Sequence, residues 1–470
     1  MKKGIMVYII RFNSQGDIMK KGLVLLCMLG LVLSSTALFA GSIDYLSNQS
    51  AEYLMTLNRN AGTDAADIVS YNPAGTVFLP KNGLYVNFST QYLFKPYEQD
   101  FMGKTYKQDE PSIIPNLFAV YKKDAWAGFL SFNVTAGGGK LDWDKGNATT
   151  AGLIMQTGLQ SAAAVAQLAG PAAAGTGASS VKSQSIEASS QYIGITPGVA
   201  YKINDKASVS LAARYIMADR NAKAKADFTV DALKAVPENE TRVAVNSDFD
   251  YDADGIGGIV GIDIKPINEL LFAIRYETPT HLDFKYDMNK RSATVTGPSD
   301  ALNAALSAGL LQTLAALDKD GQKLRYDLPA ILGLGLNYTV MPGLDVMSGF
   351  NYFFLKNANM EGEGDYNNGW ELGLGSTYKV NPALKVGAGF LYTVSGETDK
   401  TPYSTENPHL DAWSFGLGGT YEINNNFDVV LSGSRTQYST DSNNDGTATE
   451  VRFKKVVYTI ALGGQYRFDM

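Results

Sequence analysis

The sequence predicts an all-β fold: a 14-stranded antiparallel transmembrane β-barrel with an N-terminal hatch plugging the lumen and short helices in its outer loops. Three observations predict it. Apolar and polar residues alternate with a period of two in run after run from Asn82 to Phe468, bulky side chains on one face and small or polar ones on the other. Tight and long connections between the runs alternate strictly. Beyond residue 40 no apolar stretch is long enough for a membrane helix, yet aromatics make up 11% of the chain and glycines number 47.

Residues 1–40 read as an upstream extension followed by a cleavable signal. Met19-Lys20-Lys21 leads into an apolar run from Leu23 to Leu33, and small residues follow up to Phe39-Ala40-Gly41. The run is too short for a bilayer, and bulky Leu26 before Cys27 argues against a lipoprotein cut there. Cys27 is the single cysteine, so the exported chain is expected to hold no disulfide, thiolate metal site or cysteine nucleophile. The leader carries five basic and one acidic side chain, which leaves residues 41–470 with a net charge of −11. An acidic exported protein lacks the basic footprint that nucleic acid demands.

Residues 41–80 precede the first strand and are placed to fold back into the lumen. "SIDYLSNQSAEYLMTLNRN" suits a short amphipathic helix, and Asn72-Pro73-Ala74-Gly75 then forces a turn. A plain turn into the first strand is the simpler alternative. A lumen of this width cannot be filled by wall side chains alone, so it holds water, ligand or a plug.

Residues 81–470 form the barrel. In "GLYVNFSTQYLF" Leu84, Val86, Phe88, Tyr92 and Phe94 share a face opposite Asn87, Ser89 and Gln91. "WAGFLSFNV", "SVSLAARYIM", "ILGLGLNYTV", "WELGLGSTYKV" and "YTIALGGQYRF" repeat the pattern. A soluble sandwich would bury the bulky face and charge the other. Here the bulky face suits lipid and the small, polar face suits a lumen, with aromatics toward the strand ends. Strands four to six are expected at 190–203, 206–218 and 255–265, the seventh at 268–286 and the eighth at 324–340. Tight links such as "KKDA", "INDK" and "VMPG" alternate with long ones at 95–111, 139–189, 219–254 and 287–323. That alternation matches periplasmic turns and extracellular loops, which puts both termini in the periplasm of a Gram-negative cell. The final strand ends "YRFDM", with Phe468 two residues short of the terminus.

Two long loops carry helical patterns. Leu302, Leu306, Leu310, Leu314 and Leu317 line one face of a helix with Ser299 as N-cap, and "AGLIMQTGLQSAAAVAQLAG" is a second candidate. Such helices either cap the loops or offer a greasy surface to an apolar ligand.

The segment "AGTDAADIVSYNPAG" resembles the NPA-bearing stretch of the FadL family, outer-membrane transporters of long-chain fatty acids and other hydrophobic compounds such as the TodX type. "PSIIPNLFAVYKKDAWAGFLSFNV", "ITPGVAYKINDKASVSLAARY" and "DLPAILGLGLNYTV" are similar too, and the likeness extends over nearly all of residues 45–468. The resemblance implies a 14-stranded barrel closed by a hatch, and uptake without an aqueous pore. Ligand is caught on the loops, enters an apolar pocket and leaves sideways where the third strand kinks. It places the hatch motif at Asn72, Pro73 and Ala74, with Gly75 after them. It places the kink in "FNVTAGGGK", at Asn133, Gly137, Gly138 and Gly139, and part of a loop groove at Leu302, Leu306, Leu310 and Leu314. Burial of a fatty acid gains about 0.8 kcal/mol per methylene. A carboxylate head would need a cation, for which Arg214 and Lys202 are candidates, though lumen salt bridges explain both as well.

Other chemistries find little support. His281 and His409, the only histidines, have aspartates nearby but no nucleophile context, and read as loop or interface residues. Asp441, Asn443, Asp445 and Gly446 open like a calcium loop, but Arg452 stands where its acidic ligand belongs. "GIGGIVG" at 255–261 sits inside a strand rather than before a helix. No enzyme activity, cofactor or metal is expected. Expected partners are a hydrophobic small molecule, fatty acid or aromatic hydrocarbon, together with outer-membrane lipid and lipopolysaccharide, for a monomeric barrel. A diffusion porin and an adhesin are the alternatives.

Overall fold

The computed structural model describes residues 50–232, 241–297, 300–316, 321–359, 366–398, 406, 408–443 and 450–469. Among them 14 strands close into an antiparallel barrel. They are β1 (Gly83–Phe94), β2 (Ser112–Lys123), β3 (Trp126–Trp143), β4 (Ser179–Asn204), β5 (Ala207–Val230), β6 (Thr241–Ile267) and β7 (Leu270–Glu277) in the first half. The second half is β8 (Ile331–Met341), β9 (Leu344–Phe353), β10 (Gly369–Lys379), β11 (Leu384–Val394), β12 (Ala412–Asn424), β13 (Phe427–Tyr438) and β14 (Val451–Phe468). Each pairs with its successor, and β14 returns to β1 with Leu84 opposite Phe468 and Phe94 opposite Tyr458. Closure removes the unpaired edge that lipid could not satisfy.

The bulky face points outward. Phe88, Leu117, Leu130, Leu211, Leu334, Leu374, Leu417 and Ile460 are all exposed, Leu417 at 70%. A continuous apolar belt of this kind fits an acyl environment and would be a severe liability in water. Tyr121, Trp126, Tyr201, Tyr378, Tyr421 and Tyr466 gather toward the tight turns, while Tyr92, Phe94, Tyr392 and Tyr458 lie toward the long loops.

Strands four to six overrun their predicted limits. β5 and β6 stay in register from Ala207 opposite Ile264 to Val230 opposite Thr241, through residues read from the sequence as loop. The period of two continues there: Ala222, Ala226, Phe228 and Val230 share a buried face with Val243 and Val245. Two helices cover that face, α2 (Ala148–Ala169) and α3 (Asp300–Ala316), whose Ile154, Val165 and Leu310 join the same cluster. The outward side of this extension meets water and is polar, with Lys225 exposed, so the lipid-facing signature fades although the strands go on. The seventh strand, conversely, stops at Glu277, and Asp283–Thr296 pairs instead with the outer part of β6. The eighth begins at Ile331 rather than 324.

Candidate functional site

Residues 50–80 fill the barrel at its tight-turn end. α1 (Ala51–Thr56) starts at Ser50, whose Oγ accepts the Tyr53 N–H at 3.0 Å. An amphipathic helix was the expectation, yet all six residues are buried, Glu52 included, because one side of the helix packs on β1 and β10 to β14 and the other on the hatch itself, where Tyr53 stacks on Tyr71. Two 3-10 turns follow, at Ala66–Ser70 and Pro73–Phe78. Asn72 caps the second, accepting the Ala74 N–H at 3.3 Å, and Pro73 takes the first position, where no backbone donor is needed. The Asn72 amide also donates to Asp263 Oδ1 on β6 at 2.7 Å, and Ser208 on β5 donates to the Ala74 carbonyl at 2.8 Å. A side chain at Gly75 would strike the Gly62 carbonyl. The Asn-Pro-Ala-Gly stretch thus makes the turn and docks it to the wall.

The hatch meets the wall in two ways. Ile68, Val69, Val77 and Leu79 pack on Phe118, Val120, Phe129 and Ile259 of β2, β3 and β6. Around the other half, glycines receive the hatch backbone. A Cβ on Gly373 would meet the Leu57 carbonyl, one on Gly375 or Gly389 the Thr56 carbonyl, and one on Gly416 the Leu54 carbonyl. The glycines of "ELGLG", "VGAGF" and "FGLGG", read from the sequence only as a small lumen face, form a saddle for residues 51–61.

Charges lock this arrangement. Arg59 donates to both oxygens of Asp67 at 3.0 and 2.6 Å and to Asp64 at 2.7 Å. Asp64 in turn pairs with Lys385 of β11 at 2.7 Å. Glu52 accepts from the Asn87 amide at 2.6 Å. Burial, with the nearby Asp67 charge second, pushes its carboxyl up to about 7. Arg275 of β7 donates to the carbonyls of Ser70 and Tyr71 at 2.6 and 2.9 Å, at the end of the first 3-10 turn.

Of the two candidate cations, Arg214 makes a bidentate pair with Glu277 at 3.0 and 3.1 Å and donates to Thr196, which is the structural role. Lys202 lies beside the tight turn, bonded to Asp205 at 3.1 Å, away from the lumen interior, because β4 is nearly at its end there. The sequence reading missed Arg220. It is 8% exposed, donates to the Tyr192 hydroxyl at 2.9 and 2.6 Å, and lies 4.4 Å from the Phe284 ring and 4.8 Å from that of Tyr326. Tyr192, Phe284 and Tyr326 belong to an apolar cluster with Ala136, Ile216, Leu282, Phe353 and Tyr366 in the loop-side half of the barrel. Its signal was present: residues 214, 216, 218 and 220 continue one inward face past the predicted end of the fifth strand.

The ladder of the third strand is interrupted. β3 pairs with β2 only up to Asn133 opposite Asn116. Beyond that point residues 112–115 keep only their β1 partners, and Pro115 has no N–H to offer. Along β3, burial ceases to alternate and runs unbroken from Asn133 to Gly137, so the strand bows into the lumen. Gly137 and Gly139 adopt φ of +94° and +76°, and the register with β4 shifts twice between Val134 and Gly139. A Cβ on Gly137 would meet the Ser190 carbonyl, whereas Gly138 has open space. Ala136, on the bow, is part of the apolar cluster beside Arg220, so cluster and break are contiguous.

Of the leucine helix's candidate residues, the described side chains pack against the barrel extension. Leu310 is buried and Leu306 packs beside it on the β5–β6 extension; the side chains of Leu302 and Leu314 fall outside the described residues, as do Ser299 and Leu317. His281 is exposed and paired with Asp327 at 2.9 Å. His409 is buried edge-on to Tyr366 rather than exposed, and burial, with Lys455 second, pushes its imidazole down to about 3. Asp445 and Gly446, like the leader at 1–40, lie outside the described residues.

The features define a class: a barrel that crosses its membrane with strands, is stoppered by its own N-terminal segment and is interrupted in one ladder. The chain belongs to the outer membrane protein transport family (OMPP1/FadL/TodX), whose model matches residues 32–469, and is therefore an outer-membrane transporter of hydrophobic compounds. Its barrel is similar to solved structures at low sequence identity. The toluene transporter TodX of P. putida superposes with a TM-score of 0.62 at 13% identity, covering 91% of this chain and 100% of that one. A FadL homologue of Pseudomonas aeruginosa gives 0.57 at 15%, covering 92% and 98%. The toluene transporter TbuX of Ralstonia pickettii gives 0.54 at 14%, covering 91% and 100%. No curated protein matches the sequence.

Proposed function

We propose that this transporter carries long-chain fatty acids inward from the cell surface, through the apolar cluster around Tyr192 and Phe284, and out sideways between β2 and β3. The observation that carries this reading is the end of the β2–β3 ladder at Asn133, directly beside that cluster. The straight route is occupied by residues 50–80, so a ligand can leave only by moving the hatch or by crossing the wall. Lateral exit suits the cargo, since an acyl tail that slides from protein into lipid never crosses water. Arg220 is the cation proposed to meet the carboxylate, with Tyr192 holding it in place. The toluene transporters that share the fold make small aromatic hydrocarbons the alternative cargo.

Uptake of radiolabelled oleate and toluene by cells carrying the protein tests this. Gly137→Val with Gly139→Val strains the bow, and Gly138→Trp fills the break without a clash at its Cβ. Both should abolish oleate uptake while the folded barrel keeps its heat-modifiable gel mobility. Unchanged uptake in the folded Gly138→Trp variant rejects the lateral route, and preference for toluene rejects the fatty-acid assignment.

A further inference from the structure

The two margins of the break are held by different means. Toward the tight turns it ends in the backbone pair Asn116 and Asn133. Toward the loops the β2–β3 ladder does not resume, and side chains cross in its place. Ser112, the first residue of β2, accepts the Lys140 N–H on its Oγ at 3.2 Å. Lys95, one residue beyond β1 and 2% exposed, sends its ammonium into the same spot. It donates to Ser112 Oγ at 2.8 Å, to the Gly138 carbonyl at 2.7 Å and to the Lys140 carbonyl at 2.6 Å. These are as many acceptors as an ammonium has protons. The Lys95 carbonyl is itself held by the Gln108 amide at 2.8 Å, which anchors the main chain at the foot of the side chain.

We propose that Lys95 is the positioning residue that clasps the break, setting its upper limit and holding the glycine bow in its inward shape. This rests on the lateral-exit reading. The geometry explains why a lysine serves there. β3 turns its Gly138 and Lys140 carbonyls toward a neighbour that offers no ladder N–H, and unpaired carbonyls inside a membrane wall are costly. An ammonium on a flexible stem reaches both and a hydroxyl at once, whereas a backbone N–H could serve one. These three acceptors are neutral oxygens, two of them carbonyls of the bow itself, so the ammonium ties β3 to the start of β2 through hydrogen bonds. Ligand then passes below the ammonium and above the Asn116–Asn133 pair, and the clasp keeps the strands from sliding into a register that would shut the route.

The test compares Lys95→Met, Lys95→Arg and Gly138→Trp in the full-length protein, with oleate uptake by cells and oleate binding to the purified barrel as separate readouts. Lys95→Met should cut the uptake rate by about tenfold or more, the equivalent of one lost charge-assisted hydrogen bond, with binding held within about twofold. Lys95→Arg, whose fork reaches two carbonyls, should restore a large part of the rate. Gel mobility on heating checks that each variant is folded. Full uptake by Lys95→Met alongside a blocked Gly138→Trp overturns the clasp and leaves the exit standing. Full uptake by both overturns the exit and the clasp with it. Loss of binding in step with uptake overturns the clasp as well, since Lys95 would then be a ligand contact.

Discussion

Asn72 of the hatch donates its amide to the Asp263 carboxylate of β6 at 2.7 Å, while its own Oδ1 caps the turn that carries it. One side chain therefore couples the fold of the plug to its seat in the wall. Asn72→Ala removes both bonds and leaves a buried carboxylate that has no second partner among the described residues. A loss of about 1–3 kcal/mol of docking free energy is expected. Faster amide exchange at residues 66–78 and more frequent open events in planar bilayers are the measurements. Deleting residues 41–78 should give large, steady conductance, and a deletion that leaves conductance low would mean these residues are not the plug.

The glycine saddle makes a steric prediction. Gly389→Val puts a branched side chain where the Thr56 carbonyl lies, and Gly416→Val does the same to Leu54. Overpacking of this kind costs about 1–3 kcal/mol, and the movable partner is the hatch rather than the barrel ladder. Protease sensitivity of residues 50–80 should rise while the barrel stays resistant. Gly128→Val on β3, where a Cβ meets open space, is the control that should change neither.

Docking should also depend on pH through Glu52. Its carboxyl holds a proton up to about pH 7 in the seated hatch, against an ordinary value of 4.5 when freed into water. Between those values the seated hatch binds more protons, so seating weakens as pH rises from about 4.5 to about 7 and changes little above that. Hydrogen exchange of the hatch, corrected for intrinsic rates, should be more protected at pH 5 than at pH 8. Glu52→Gln should flatten the difference, and an unaltered profile in that variant would assign the effect to another group.

Orientation of the wall is open to a direct probe. Leu334 and Leu374 are 39% and 53% exposed on the outer face of β8 and β10. Spin labels at either position should relax strongly with dissolved oxygen in membranes and weakly with a water-soluble reagent. Labels at Gly335 and Gly375, which face the hatch, should be accessible to neither.

Much of the barrel was legible because lipid on one side and a lumen on the other impose the same alternation on every strand. Strand number, the tight turns and the outward set from Phe88 to Ile460 follow from that rule alone. The rule weakened where β5 and β6 leave the membrane, since water outside removes the demand for bulky residues at Lys223 and Lys225. Arg220 was lost with that stretch. Gly137 and Gly139 take positive φ, which few residues other than glycine tolerate, and that need for glycine is what makes the run stand out in the sequence.

Local pattern, then, determined the wall, since each residue's face depends only on its parity along the strand. Tertiary structure decided what the wall encloses. That Gly389 receives Thr56, that Asp263 receives Asn72, and that Lys95 reaches the Gly138 carbonyl are contacts between residues from 43 to 333 positions apart. No periodicity encodes such pairings, because they arise only when the ladder closes and brings distant strands around one plug.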